Sequence, residues 1–95
     1  MPDISYRLVL EHLAVHWRLD AREVAVLQAL GSQAIVPLQD IEQTLDALFA
    51  VNPELAALWP TTPNRGLGYR SPLDVIAQEG MAGLENIHLF VCLTH

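Results

Sequence analysis

Residues 19–31 read LDAREVAVLQALG and contain the signals for both ends of a helix. Asp20 is a favourable N-cap residue, and Glu23, three residues later, completes a capping box. Leu19 and Val24 have the spacing of a hydrophobic staple, which fixes the angle at which the chain enters a helix. Gly31 accepts the left-handed conformation that commonly ends a helix. This stretch therefore predicts a complete short helix, and the same signals recur along the chain.

Start and stop signals, together with apolar residues at helical spacing, predict five further helices. Ser71 and Asp74 repeat the capping box before a helix that should end at Gly80, and Asn52-Pro53 ends one helix and caps the next. Residues 82–93 fit a helix or a strand, and helix is favoured because no second strand is available for pairing. The predicted helices cover residues 3–17, 21–30, 38–51, 53–59, 72–79 and 82–93, with one long loop at 60–70. The predicted fold class is all-α, a single compact domain of about six short helices.

The composition narrows the class of protein. The chain has 95 residues, of which 52% are hydrophobic and 17% charged, which excludes disorder for most of its length. Eleven acidic residues against five basic ones give a net charge of −6, and every basic residue is an arginine. Nucleic acids and anionic lipids are bound mainly through Lys and Arg, so we expect no autonomous nucleic-acid binding and no membrane binding.

The cysteine count and the apolar runs predict the compartment. Cys92 is the single cysteine, so no internal disulfide can form, and its apolar neighbours are typical of an inert buried thiol. No stretch has the pattern of a targeting segment, and no apolar run approaches the roughly 20 residues that cross a bilayer. These features predict a cytoplasmic protein.

A search for catalytic and metal-binding patterns favours a protein that is not an enzyme. His12 and His16 share a helix face, but a metal site needs a further ligand from elsewhere, so no metal and no cofactor are predicted. The acidic residues Asp40, Glu42 and Asp46 are interpreted as the solvated polar face of their helix. Residues 66–71 begin like a dinucleotide-binding fingerprint but follow no strand, and no nucleophile motif is present.

The second half of the chain contains an ordered series of motifs. A helix ending in Leu48-Phe49 is followed by a short helix closed by Trp59, and then by Pro63-Asn64 and a glycine-bearing loop. Arg70-Ser71-Pro72-Leu73-Asp74, Gly80 and a terminal apolar helix complete the series. In order and spacing, residues 38–91 resemble the toxin-binding domain of the Xre/MbcA/ParS antitoxin family.

The resemblance also suggests how the chain is organised. Residues 17–20, Glu23 and residues 30–31 are similar to the degenerate helix-turn-helix region of that family. We therefore expect a helix-turn-helix-like part at residues 1–37 and a toxin-binding part at residues 38–95, within one compact domain. Two departures from the family stand out: the segment after Gly31 is short, and Tyr69 stands where the family often has a second glycine.

The resemblance implies a function and a set of residues. Members of the family bind and silence RES-domain toxins, which consume NAD, in larger hetero-oligomers, and the C-terminal end of the antitoxin can cover the NAD site. This places Cys92, Leu93, Thr94 and His95 at the toxin's active-site mouth, with Arg65 and Arg70 near the interface. The other motif residues are interpreted first as determinants of capping and turn geometry: Trp59, Asn64, Gly66, Gly68, Ser71, Pro72, Leu73 and Asp74.

Two other functions stay open. The apolar surplus could be covered by further copies of the chain, as in a self-associating regulatory or scaffold domain. Helices 21–30 and 38–51 could also form a helix-turn-helix, but the second of them carries three acidic residues and no basic one. DNA binding is therefore expected only as a co-repressor within the toxin complex, which would supply the basic surface.

Overall fold

A computed structural model describes residues 4–94, with side chains for residues 4–92. The described residues form six α-helices and three short 3₁₀ turns. The helices are α1 (Ile4–His16), α2 (Ala21–Gln28), α3 (Ile35–Leu48), α4 (Pro53–Leu58), α5 (Pro72–Glu79) and α6 (Met81–Thr94), and the turns are Ser32–Ala34, Trp59–Thr61 and Arg65–Leu67. The predicted all-α class, with six short helices in one compact unit, is confirmed.

The two capping boxes are present as predicted. At α2, the Asp20 carboxylate accepts from the Glu23 amide and the Glu23 carboxylate accepts from the Asp20 amide, at 2.8 and 2.9 Å. At α5, Ser71 and Asp74 exchange the same pair of bonds at 3.1 and 3.2 Å. Each box satisfies an amide that the helix itself leaves without a partner, which is why both starts could be located from the sequence.

Three helix-end details differ from prediction. Helix α3 begins at Ile35 and not after Pro37, because a proline in the first turn lacks only an amide that would have no helical partner. Asn52 precedes α4 but its side chain makes no capping bond, so Pro53 and Glu54 carry that start. Helix α2 ends at Gln28, and Gly31 lies beyond a further turn with φ +80° and ψ 179°, outside the left-handed helical region.

One hydrophobic core joins all parts of the chain. Trp17, after α1, is 2% exposed and lies among side chains of α3, α5 and α6, including Ile41, Leu73 and Ile87. Tyr6 and Leu27 join α1 to α2 through a hydrogen bond from the phenol to the buried carbonyl. The predicted boundary between residues 37 and 38 falls inside α3, so the two predicted parts share a helix as well as a core.

Helices α5 and α6 approach each other closely at Gly83. A methyl group on Gly83 would lie 2.6 Å from the Val75 carbonyl oxygen, well inside van der Waals contact. Gly80, at the end of α5, has φ +64° and reverses the chain between the two helices, as predicted. The absence of a side chain at residue 83 therefore sets the spacing of these helices, and with it the position of the C-terminal end of α6.

The last segment is a helix, as favoured from the sequence. Leu84, Ile87 and Val91 of α6 are buried on one face, whereas Cys92 is exposed, so the prediction of a buried thiol is wrong. Cys92 lies on the outward face, one residue beyond the last buried position. Within the described residues, no single helix has both the length and the hydropathy to cross a bilayer; residues 21–28 and 32–48 reach them only together, across a 98° bend.

Candidate partner-binding site

Asn64 organises the loop between α4 and α5. Its amide donates to the Arg70 carbonyl at 3.0 Å, forming an isolated antiparallel bridge that closes the loop. Its carbonyl accepts from the amides of Leu67 and Tyr69, and its side-chain oxygen accepts from the Gly66 amide at 2.8 Å. Asn64 thus makes four hydrogen bonds with backbone groups of the loop, and these bonds keep the loop in one conformation.

The tip of this loop has two successive residues with left-handed backbone. Gly68 has φ +70° and ψ 34°, and Tyr69 follows with φ +63°. The first position suits glycine, but a side chain with a Cβ is disfavoured in this region. Tyr69 is also 71% exposed, so its ring gains little from packing within the chain. A large aromatic side chain is therefore presented to solvent by a strained, hydrogen-bonded loop.

The loop packs directly on α6. A Cβ on Gly66 would lie 3.0 Å from the ring of Phe90, a tight contact that the ring would have to move to accommodate. Phe90 also stacks on Trp59, with ring centroids 6.3 Å apart. This contact places the loop backbone against α6, within one turn of Cys92.

An apolar groove of about 120 Å³ opens beside this contact. We call it the Trp59 groove; its lining residues are Leu45, Leu48, Phe49, Trp59, Asn64, Phe90 and Val91. Leu48, at the end of α3, remains 39% exposed, and Leu89 of α6 is 60% exposed. Concave apolar surface with exposed side chains around it is typical of surfaces that bind other proteins.

The two predicted interface arginines have different environments. Arg70 binds within the chain: its Nε donates to the Leu67 carbonyl, and its Nη1 donates to Gln78 and Glu79 at 2.8 and 3.0 Å. It therefore anchors the loop to α5. Arg65 is exposed and, among the described residues, has no ion-pair partner. Of the two, Arg65 has the guanidinium that is available to a partner.

The remaining motif residues follow the loop and form the start of α5. Ser71, Pro72 and Leu73 are buried and join the α5 start to the core, while Asp74 is exposed and completes the cap. At the other end of the predicted set, α6 extends through Thr94. The side chains of Leu93 and Thr94, and the whole of His95, lie outside the described residues.

The sequence suggested that the acidic residues of α3 are simply solvated. In the structure they are instead paired with histidines. His12 Nε2 lies 2.5 Å from Glu42 Oε2, and His16 Nε2 lies 3.1 Å from Asp46 Oδ1. On the other side of α3, His88 of α6 lies 3.2 Å from Asp40, completing a third pair. Glu42 has a side chain only 13% exposed, so its carboxylate lies largely within the α1–α3 interface. The pairing depends on helix packing, which sequence spacing does not reveal.

Two sites outside this face have perturbed pKa values. Burial raises the pKa of Tyr6 to about 12. Arg18 and Glu54 form a two-bond ion pair at 2.5 and 2.7 Å, joining the α1–α2 turn to α4. The hydrogen bond raises the pKa of the guanidinium and lowers that of the carboxylate. Arg18 has φ +54°, so this turn, like the tip of the loop, uses a left-handed residue that is not glycine.

Two residues of this face were missed in the sequence. Tyr69 stands out in the sequence only as a departure from a glycine position, and Phe90 is not among the predicted site residues. A large aromatic residue between Gly68 and Arg70, in a loop otherwise polar or small, was the available signal for Tyr69. Phe90 had none, because the contact with Gly66 joins residues far apart in the chain.

The comparisons with known proteins give one match. Residues 44–88 match the model of the antitoxin Xre/MbcA/ParS C-terminal toxin-binding domain, from the middle of α3 to His88 of α6. No curated protein and no solved structure matches the chain. The matched range contains the loop, Trp59 and most of the α5–α6 pair, and it leaves out α1, α2 and the last residues of α6.

Proposed function

We propose, from the match of residues 44–88 to the Xre/MbcA/ParS C-terminal toxin-binding domain, that this chain is the antitoxin of a type II toxin–antitoxin pair. Its partner is a RES-domain toxin that consumes NAD, and neutralisation works by covering the toxin's active site in the cytoplasm. The chain itself performs no catalysis and takes no cofactor. The match over residues 44–88 is the observation that carries the proposal.

The geometry supports a particular binding face. The Gly66–Phe90 contact joins the loop to α6, and the loop residue Asn64 lines the Trp59 groove, so Arg65 and Tyr69 belong to the loop that borders this groove. Aromatic residues and arginines are the side chains enriched at the energetic centres of protein interfaces. We assign Tyr69 and Arg65 to the toxin contact, and Leu93, Thr94 and His95, which continue from α6, to the mouth of the NAD site.

Affinity capture from the native host, followed by mass spectrometry, tests the partner. A RES-domain protein recovered in near-stoichiometric amount is the expected result. Adding the purified chain should then stop NAD consumption by that protein. Recovery of only the chain's own copies would contradict the proposal and would leave a self-associating domain as the function.

Two variants test the binding face once the toxin is in hand. Arg65→Glu should weaken the toxin complex by about 1–2 kcal/mol, because an interface arginine is replaced by a shorter side chain of opposite charge. Arg22→Glu makes the same charge change on α2, outside the matched range, and should leave affinity unchanged. Equal losses in both variants would attribute the effect to net charge and remove Arg65 from the interface.

Removing residues 93–95 tests the covering of the active site. All buried positions of α6 up to Val91 remain, so the fold should be retained, as circular dichroism can check. We expect the shortened chain still to bind the toxin but to protect cells from it less well. Undiminished protection would show that these residues do not cover the NAD site.

Self-association is a second candidate, favoured by an apolar stripe on α1. Ile4, Leu8 and Val15 are 68, 58 and 81% exposed and lie on one face of the helix. A second copy covering this stripe would explain the apolar surplus of the composition. Light scattering after size exclusion should then give a mass above that of one chain, and Leu8→Glu should return it to a monomer. A wild-type monomer would contradict this candidate.

A further inference from the structure

Helices α1 and α3 bring together four side chains that can each ligate a metal ion. His12 and His16 are one turn apart on α1, and Glu42 and Asp46 are one turn apart on the facing side of α3. One ligand atom each from His16, Glu42 and Asp46 lies within 4.8 Å of the other two. The His12 ring stacks on the His16 ring at 5.6 Å, and its Nε2 lies 2.5 Å from Glu42.

We propose that His16, Glu42 and Asp46, with His12 as the fourth ligand, bind a divalent transition-metal ion, with Zn²⁺ as the favoured ion. Two imidazole nitrogens and two carboxylate oxygens form a donor set that suits Zn²⁺, with bond lengths of about 2.0–2.2 Å. The two pairs, each spaced by one helical turn, supply a tetrahedral number of ligands from only two elements. The two carboxylates also neutralise the charge of the ion.

The environment of the cluster is suited to capture from solvent. The side chains of His16 and Asp46 are 32 and 49% exposed, so the ion has a route in, whereas Glu42 is 13% exposed and held in the helix interface. No arginine is paired with any of the four side chains among the described residues. The His–carboxylate contacts would be replaced by bonds to the ion; His12 lies outside the group of three ligand atoms within 4.8 Å, so its ring must turn toward the ion.

The bound ion would connect the N-terminal helix to the first helix of the toxin-binding region. Helix α1 lies outside residues 44–88, while Asp46 lies inside them. Because the ion binds only the folded arrangement, it should raise the unfolding temperature, and above the dissociation constant the rise should follow the logarithm of the free ion concentration. None of the four ligands lines the Trp59 groove or belongs to the loop, so the proposed metal site and the proposed antitoxin function are tested separately.

Titration of the untagged, chelator-treated chain with ZnCl₂ in a calorimeter tests the site. We expect a saturable isotherm with one ion per chain, and Co²⁺ in place of Zn²⁺ should give the visible absorption of a tetrahedral N/O site. Loss of an outer-shell partner alone weakens metal sites by about 10–100-fold, so His16→Ala and Asp46→Asn should each weaken binding by at least about tenfold.

His88→Ala is the matched control, because His88 and Asp40 form a similar pair on the opposite side of α3 without a third ligand nearby. It should bind Zn²⁺ as tightly as the wild-type chain. Asp46→Asn keeps the size of the side chain, and circular dichroism checks that it folds. Weak, non-saturating binding by the wild-type chain, or equal losses in His88→Ala and His16→Ala, would overturn the proposal.

Discussion

Tyr69 has a backbone conformation that suits glycine and a side chain that is mostly exposed. Its φ of +63° carries a steric cost for an L-residue, and the neighbouring hydrogen bonds through Asn64 hold it there. Strain of this kind persists where the surrounding structure requires it, and such positions cluster at binding sites. The residue therefore links loop geometry to the proposed toxin contact.

Tyr69→Gly should raise the free energy of unfolding by about 1 kcal/mol, because it removes the left-handed strain and little buried area. The same variant should bind the toxin less tightly, since the exposed ring is lost. Gly68→Ala is the reverse control: φ is +70° and a Cβ there meets no atom within 4 Å, so the loss of stability reports backbone strain alone. Denaturant unfolding measures both. A less stable Tyr69→Gly variant would show that the ring, and not the backbone, dominates.

Tyr6 should make the fold sensitive to alkaline pH. Its ordinary pKa of 10.0 is raised by burial to about 12, so the folded chain keeps the phenol proton after the unfolded chain has lost it. The associated stability is complete below pH 10 and is lost as the pH rises through 12. Tyr6→Phe should be less stable at neutral pH, because the hydrogen bond from the phenol to the Leu27 carbonyl is lost, but should lack this alkaline slope. An unchanged loss of stability at alkaline pH in Tyr6→Phe would show that other groups cause it.

The sequence predicted the positions of the helices well and their exact ends less well. The two capping boxes and Gly80 could be read because the signal lies within a few residues of its effect. The start of α3 before Pro37 was missed because a first helical turn tolerates proline. The exposure of Cys92 was missed because it depends on which face of α6 meets the core. The contact between the loop and Phe90 could not be predicted either, because it joins residues far apart in the chain.

Gly83→Ala tests the contact between α5 and α6. Helix propensity alone favours alanine, but the new methyl group would lie 2.6 Å from the Val75 carbonyl and must displace one helix. We expect a loss of about 1–3 kcal/mol in the free energy of unfolding. Glu85→Ala, exposed on the same helix, should change it by less than about 0.5 kcal/mol. A stabilised Gly83→Ala chain would mean that α5 and α6 are farther apart.

At the scale of the whole molecule, the core crosses the predicted division of the chain. Trp17 belongs to the first part by sequence, but it packs on Ile41, Leu73 and Ile87 of the second. The histidine–carboxylate pairs of α3 likewise join residues about 30 to 48 positions apart. Such long-range contacts could not be predicted from one sequence, although composition and periodicity were sufficient to predict the fold class.

A fragment of residues 38–95 should therefore fail to unfold cooperatively. Removing Trp17 leaves its place in the core empty, and loss of a buried tryptophan side chain alone costs about 3–5 kcal/mol. Thermal unfolding followed by circular dichroism compares the fragment with the full chain. A cooperative transition near the full-chain midpoint would instead make residues 38–95 an independent domain.

The two tryptophans occupy very different surroundings. Trp17 is 2% exposed, whereas Trp59 is partly exposed and stacks on Phe90 beside the groove. The fluorescence of Trp17 should therefore have its maximum at a shorter wavelength than that of Trp59, because Trp17 is buried and Trp59 is partly exposed. Replacing Trp17 by Phe leaves Trp59 as the single tryptophan, at the proposed docking edge, so with excitation selective for tryptophan the arrival of a partner can be timed by stopped flow without any attached dye.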